Sequence, residues 1–170
     1  MRIAGGPQRA IRAIVNSTVP VLAAVDSAAV GLGFDLALAY DHRLIGPAGS
    51  CMQGWGRIGL IPGTGGVLLL SRLNPTLLWR LLATQERLDG PTAERYGLAQ
   101  VVAEGTALEA ALAQAHSPAK QPREVLELYV SLHRGALRSV ILGRLDVCAR
   151  EESRLLADPA LAQRIAPLRG

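Results

Sequence analysis

The stretch Ala28-Ala-Val-Gly-Leu-Gly-Phe-Asp35 decides how this chain is read. The apolar run Val19 to Val25 feeds into it, and a helix-like run from Asp35 to Tyr40 leaves it. Gly31 and Gly33 let the backbone turn tightly and leave room beside it. The first N–H groups of the following helix find no acceptor within that helix and point outward. Fixed donors of this kind suit an oxygen that carries negative charge. A second glycine-rich stretch follows, Ile58-Gly-Leu-Ile-Pro-Gly-Thr-Gly-Gly66.

Several readings of these glycines fail on spacing. A dinucleotide fingerprint would place its third glycine at Leu36. A phosphate-binding loop needs Gly-Lys-Ser/Thr, which does not follow Gly59 to Gly66. No Gly-x-Ser-x-Gly elbow offers a serine nucleophile. His42, His116 and His133 are scattered, and Cys51 and Cys148 lack CxxC spacing, so neither a metal site nor a disulfide framework is expected.

A chain of 170 residues is long enough for one real core. Apolar residues make up 49%, which argues for a packed domain and against disorder. Aromatics are only 4%, so Leu, Ile, Val and Ala must carry the core, and Trp55 and Trp79 stand out. The net charge of +4 rests on scattered arginines, with Lys120 the one lysine. No basic stripe interleaved with aromatics is present, so no nucleic-acid partner is expected. The longest apolar region, Val19 to Tyr40, contains Asp26 and Asp35. Each would cost about 2.5–3.5 kcal/mol at a bilayer centre, so no membrane span is expected either. Without a visible secretory signal, the cytoplasm is the expected location.

The pattern predicts helices over Pro7–Asn16 and Asp35–Tyr40, with strands at Pro20–Val25 and Arg43–Ile45. A turn is expected at Pro47–Gly49 and a mostly irregular segment over Gln53–Gly63. Helices are expected at Thr64–Leu73, Thr76–Thr84 and Pro91–Tyr96, with Gly97 as a left-handed cap and an extended return at Leu98–Val102. The remainder reads as helical: Thr106–Ala115, Pro122–Leu142, Asp146–Leu156 and Pro159–Ala166. No sequence repeat of fixed period is evident. Trp79 is assigned to the core with Leu78, Leu81 and Leu82, and Asp41 and Asp89 to caps or turns.

Three segments, Pro20-Val-Leu-Ala-Ala-Val25, Gly31-Leu-Gly-Phe-Asp-Leu-Ala-Leu-Ala-Tyr-Asp41 and Ile58 to Gly66, resemble the central motifs of the crotonase (enoyl-CoA hydratase/isomerase) superfamily. Arg87-Leu-Asp and Ala93-Glu-Arg-Tyr-Gly-Leu-Ala-Gln-Val101 extend the likeness. The resemblance implies an α/β fold, a crotonase-like ββα spiral followed by a helical tail. Residues 1–105 would form a partial core, and 106–170 a helical region packing on that core or on a neighbouring subunit. It also implies an acyl-CoA thioester as partner and substrate, with coenzyme A arriving as part of the substrate and no separate cofactor or metal. A homo-oligomer, a trimer or a dimer of trimers, would be the assembly.

The same resemblance assigns site residues. The Leu32 backbone N–H would supply one oxyanion donor. The other family donor precedes the Pro20 strand, and nothing in Met1 to Ser17 matches it, so the chain reads as shortened at its N-terminus. Asp35 falls at the first of two acid positions used for hydration and would be the acid/base. Trp55 falls at the second, where it would line the pocket or simply pack. Gly31, Gly33, Pro62 and Gly63 would complete the substrate-binding surface. Asp35 also suits the first turn of a helix for purely structural reasons. The expected activity is hydration or isomerisation of an enoyl thioester through an enolate. The alternative is a catalytically impaired acyl-CoA-binding or assembly subunit of the same fold.

Overall fold

In a computed structural model, which describes residues 6–166, two consecutive strand–strand–helix units set the architecture. Helix α1 (Pro7–Asn16) precedes them. The first unit is β1 (Leu22–Val25), β2 (Ala28–Val30) and α2 (Leu32–Ala39). The second is β3 (His42–Ile45), β4 (Ser50–Met52), a 3-10 turn at Trp55–Ile58, and α3 (Gly66–Leu73). Each unit gives its first strand to one sheet and its second to another. β1 pairs in parallel with β3, placing Leu22 beside His42 and Val25 beside Ile45. β2 pairs in parallel with β4, Ala28 beside Ser50. The repeat is thus real in three dimensions although the sequence shows none. Burial by the stacked neighbour needs only an apolar side chain, not the same one.

The chain continues through α4 (Pro75–Thr84), β5 (Arg87–Asp89), α5 (Gly90–Arg95) and β6 (Gln100–Val101). β5 runs antiparallel to β4, and β6 runs parallel to β3. Asp89 caps α5 by accepting from the Thr92 N–H at 2.8 Å, and Gly97 takes the left-handed conformation. Helix α6 (Ala107–His116) starts at a reciprocal Thr106–Glu109 capping box. Asp26, at the end of β1, also accepts from the Ala107 N–H at 2.6 Å, which fastens α6 to the sheet. Helix α7 (Arg123–Leu156) lies against α1 and α3, and α8 (Leu161–Ile165) ends the described chain.

Three expectations need correction. Helix α2 begins at Leu32, three residues before Asp35, because Gly31 (φ +55°) makes the turn unaided and Leu32 can enter the helix at once. Trp79 is 69% exposed and is not core. Helix α4 buries Leu77 and Leu81, and Trp79 points away from that line. The two expected helices on either side of Gly143 are one helix of 34 residues. Leu137, Ile141, Leu145 and Ala149 are buried at intervals of four and carry the helix straight through. An interior glycine costs about 1 kcal/mol, whereas each buried aliphatic side chain gains about 1.5–3 kcal/mol. A Cβ on Gly143 would meet nothing within 4 Å. Gly143→Ala should therefore raise the unfolding free energy by about 0.5–1 kcal/mol in urea denaturation.

Candidate active site

The site is built around the N-terminal turn of α2. The Gly31 N–H donates to the Met52 carbonyl at 3.0 Å, tying the end of β2 to the end of β4. The Gly31 carbonyl accepts from the Asp35 N–H at 2.9 Å and closes the first helical turn. The Leu32 N–H lies within that turn, where the helix itself offers no acceptor. Leu32 lines a cavity of about 220 Å³ together with Pro7, Trp55, Leu60, Thr64, Glu152 and Leu156. Apart from Thr64 and Glu152 the lining residues are apolar, which suits an acyl chain better than a polar substrate.

Trp55 opens the 3-10 turn after Gly54 (φ +71°). Its indole edge lies 3.4 Å from where a Cβ on Gly31 would stand, an ordinary contact, so glycine is favoured there by its positive φ and not by space. The indole Nε1–H donates to Asp35 Oδ2 at 3.1 Å. The Thr64 hydroxyl donates to the same oxygen at 2.6 Å. Asp35 is 1% exposed, and its Oδ1 has no hydrogen-bond partner among the described residues. It stands behind Thr64 and Trp55 and does not line the cavity itself. Burial pushes its carboxyl up to about 7, against the two hydrogen bonds that favour the ionised form. A smaller upward push comes from the charge of Glu152.

Of the residues singled out in the sequence, Gly31, Leu32, Asp35 and Trp55 come together as one cluster. Gly33 lies near it but faces Ala29 of β2, 3.8 Å from where its Cβ would stand. Pro62 and Gly63 are buried in the loop entering α3. The Gly63 carbonyl accepts from Gln8 Nε2 at 2.8 Å, and the same amide donates to the Leu145 carbonyl at 2.6 Å. Gln8 therefore joins α1, this loop and α7.

Two site residues escaped the reading of the sequence. In the sequence Thr64 reads only as the start of a helix, yet its hydroxyl donates to Asp35 and the residue lines the cavity. Glu152 has no distinguishing motif in the sequence, yet it is wholly buried against Gly63 and lines the cavity. A signal for Glu152 was present: it continues the buried line Leu137, Ile141, Leu145, Ala149. The glycines of the loop have a shared explanation. A Cβ on Gly63 would overlap Glu152 Oε2, and one on Gly66 would overlap Asp35 Oδ1. Two carboxylates thus occupy the space that side chains at these positions would fill.

The enoyl-CoA hydratase/isomerase family profile matches residues 5–141. A probable enoyl-CoA hydratase, EchA14, of Mycobacterium tuberculosis is 40% identical over 115 residues, covering 67% of this chain and 44% of that protein. The chain thus spans less than half the length of this curated relative. The crystal structure of an enoyl-CoA hydratase from Mycobacterium avium superposes with a TM-score of 0.86 at 27% identity, covering 96% of this chain and 64% of that one. A carnitinyl-CoA hydratase from the same organism gives 0.79 at 29% identity, covering 88% and 59%.

Proposed function

The chain belongs to the enoyl-CoA hydratase/isomerase family, and from that premise we propose that it binds an acyl-CoA thioester and stabilises its enolate. The observation that carries the proposal is that Leu32, whose N–H opens α2 without an acceptor in that helix, lines a cavity whose Thr64 and Trp55 both hold the buried Asp35 carboxyl. The thioester carbonyl oxygen would accept from the Leu32 N–H. One preorganised donor of this kind is worth about 3–4 kcal/mol to an oxyanion. Asp35 would be the acid/base, reaching the substrate through the Thr64 hydroxyl. A carboxyl poised near 7 can both give and take a proton at neutral pH. In isomerisation it would take a C2 proton from a 3-enoyl thioester as the electron pair moves to the carbonyl oxygen. Returning that proton to C4 would leave the double bond at C2–C3.

One observation favours a second reading. Asp35 is 1% exposed behind Trp55, which suits a subunit that binds acyl-CoA without turning it over. Assay with crotonyl-CoA and a 3-enoyl-CoA separates the two. Asp35→Asn and Thr64→Val should each lower turnover by about 10²–10⁴-fold while acyl-CoA binding persists. Binding without turnover of either substrate by folded wild-type protein would leave the binding reading alone. The exposed Leu128, Tyr129 and Leu132 of α7 offer an apolar contact face for a homo-oligomer, for which we propose a trimer or a dimer of trimers. Among the described residues no helix is long and apolar enough to cross a membrane.

A further inference from the structure

We propose that Glu152 is a second proton-transfer carboxylate of this cavity, supplied by helix α7 where the glycine-loop side of the site carries Trp55 instead of an acid. The inference rests on the acyl-CoA reading above and extends it. Glu152 lies outside the family match, which ends at residue 141, so the match says nothing about it.

The geometry is specific. Glu152 is 0% exposed, and neither carboxylate oxygen has a hydrogen-bond partner among the described residues. The nearest backbone donor, the Gly63 N–H, favours the ionised form but makes no hydrogen bond of normal distance and angle to it. Glu152 lines the cavity with Leu32, Trp55 and Thr64, and its carboxylate is tucked against Gly63, one residue before Thr64 and its contact to Asp35. Gly63 leaves the space it occupies, and Gln8 fixes that loop against α7 at Leu145. Burying an unpaired carboxylate costs several kcal/mol, so a group of purely structural use would sit paired or be replaced by an apolar one. A buried acid with no partner among the described residues, on a residue that lines a cavity, has its hydrogen bonds free for a ligand.

The titratable groups facing it are Asp35 from α2 and Cys148, one turn earlier on α7. Burial raises the Glu152 carboxyl to about 7. Two neighbouring carboxyls near this value hold about one proton between them at neutral pH, one acting as base and one as acid. Hydration of a 2-enoyl thioester uses both. Ionised Glu152 takes a proton from water as the water oxygen bonds to C3. The C2=C3 π pair passes to C2, with the charge resting on the carbonyl oxygen at Leu32. Neutral Asp35 delivers a proton to C2 through Thr64. The cycle leaves Glu152 neutral and Asp35 ionised, and exchange with solvent restores both.

The test compares the wild-type chain with Glu152→Gln and Glu152→Asp. Crotonyl-CoA hydration should fall about 10²–10⁴-fold in kcat in Glu152→Gln, with KM changed by only a few-fold. Isomerisation of a 3-enoyl-CoA, which needs one carboxyl, should fall by less than tenfold, and Glu152→Asp should recover part of the hydration. Infrared difference spectra on binding butyryl-CoA should show a carboxyl band that disappears in Glu152→Gln. That readout needs no turnover, and a melting curve verifies the fold of each variant. Unchanged hydration in Glu152→Gln, or butyryl-CoA binding with no such band, overturns the role of Glu152 alone. Butyryl-CoA binding without hydration in the wild type overturns proton transfer but keeps the binding reading. Failure of the wild type to bind any acyl-CoA overturns the acyl-CoA reading itself.

Discussion

Replacing Arg134 with Met should lower the unfolding free energy by about 3–5 kcal/mol, the largest effect expected of any single substitution on the fold. Arg134 lies on α7 and is 1% exposed. Its Nε donates to Asp41 Oδ1 at 2.7 Å, and its Nη2 pairs with Asp41 Oδ2. Its Nη1 donates to the Ile14 and Ser17 carbonyls, each at 2.8 Å. These carbonyls end α1, where a cation also meets the negative end of the helix dipole. Asp41 Oδ2 in turn accepts from the Val21 N–H at 2.8 Å. One guanidinium therefore ties α7 to the end of α1, the entry to β1 and the turn before β3. Methionine fills similar volume but leaves the partly buried Asp41 and two carbonyls without this donor. Arg134→Lys should recover only part of the loss, because an ammonium cannot reproduce the planar fork. Adding Asp41→Asn to Arg134→Met should recover some stability by removing the stranded charge. Urea denaturation is the measurement, and a loss under 1 kcal/mol would show that the network does not hold these segments together.

Much of the core was legible because its signals are local. Helix α1 runs over Pro7–Asn16 as its apolar spacing and first-turn proline predict, and the β1, β3 and α3 segments follow their apolar runs. The Gly31 turn was legible because few residues other than glycine adopt positive φ there. What stayed hidden depends on partners distant in sequence. In the sequence Asp41 reads as a cap or turn residue, and it does hold the Val21 N–H, but its main partner lies 93 residues on. Trp79 looked like core because its neighbours are leucines. A helix with two buried positions on one face can leave a tryptophan outside, and no local pattern reveals which face is covered.

The two charged residues on the buried seam of α7 show how structure divides roles that sequence cannot. Arg134 and Glu152 both sit in register with Leu137, Ile141, Leu145 and Ala149. From the pattern alone, each is an anomaly of the same kind. The structure separates them by their partners. Arg134 directs its donors to Asp41 and backbone carbonyls, whereas Glu152 has no hydrogen-bond partner among the described residues and lines a cavity. A buried charge that is satisfied is explained by the fold. One that is unsatisfied lowers the stability of the fold and needs another reason to be there.

That destabilisation should appear as a pH dependence opposite in sign to ordinary acid denaturation. Asp35 and Glu152 are both raised to about 7 in the folded chain, mainly by burial. In the unfolded chain they titrate near their ordinary values, about 4. Between these limits the folded state binds more protons than the unfolded state, so stability falls as pH rises. The advantage of the neutral, folded acids is complete below about pH 4 and gone above about pH 7–8. Over pH 5 to 9, coupling between the two groups included, the unfolding free energy should drop by about 2–5 kcal/mol. Other carboxylates oppose this only at the acid end. Asp89, Glu109 and Asp158 are held low, chiefly by hydrogen bonds from Thr92, Thr106 and Ala160 respectively, and their contribution disappears as pH falls through those depressed values. Stability should therefore peak near pH 5. Asp35→Asn and Glu152→Gln should each flatten the alkaline slope by roughly half and raise stability at pH 8 relative to wild type. Denaturant melts at constant ionic strength across pH 5 to 9 make the comparison. A wild-type curve that is flat or rising over that range would mean that neither carboxyl is held neutral in the folded chain. The acid/base roles assigned to Asp35 and Glu152 would then lose their physical basis together.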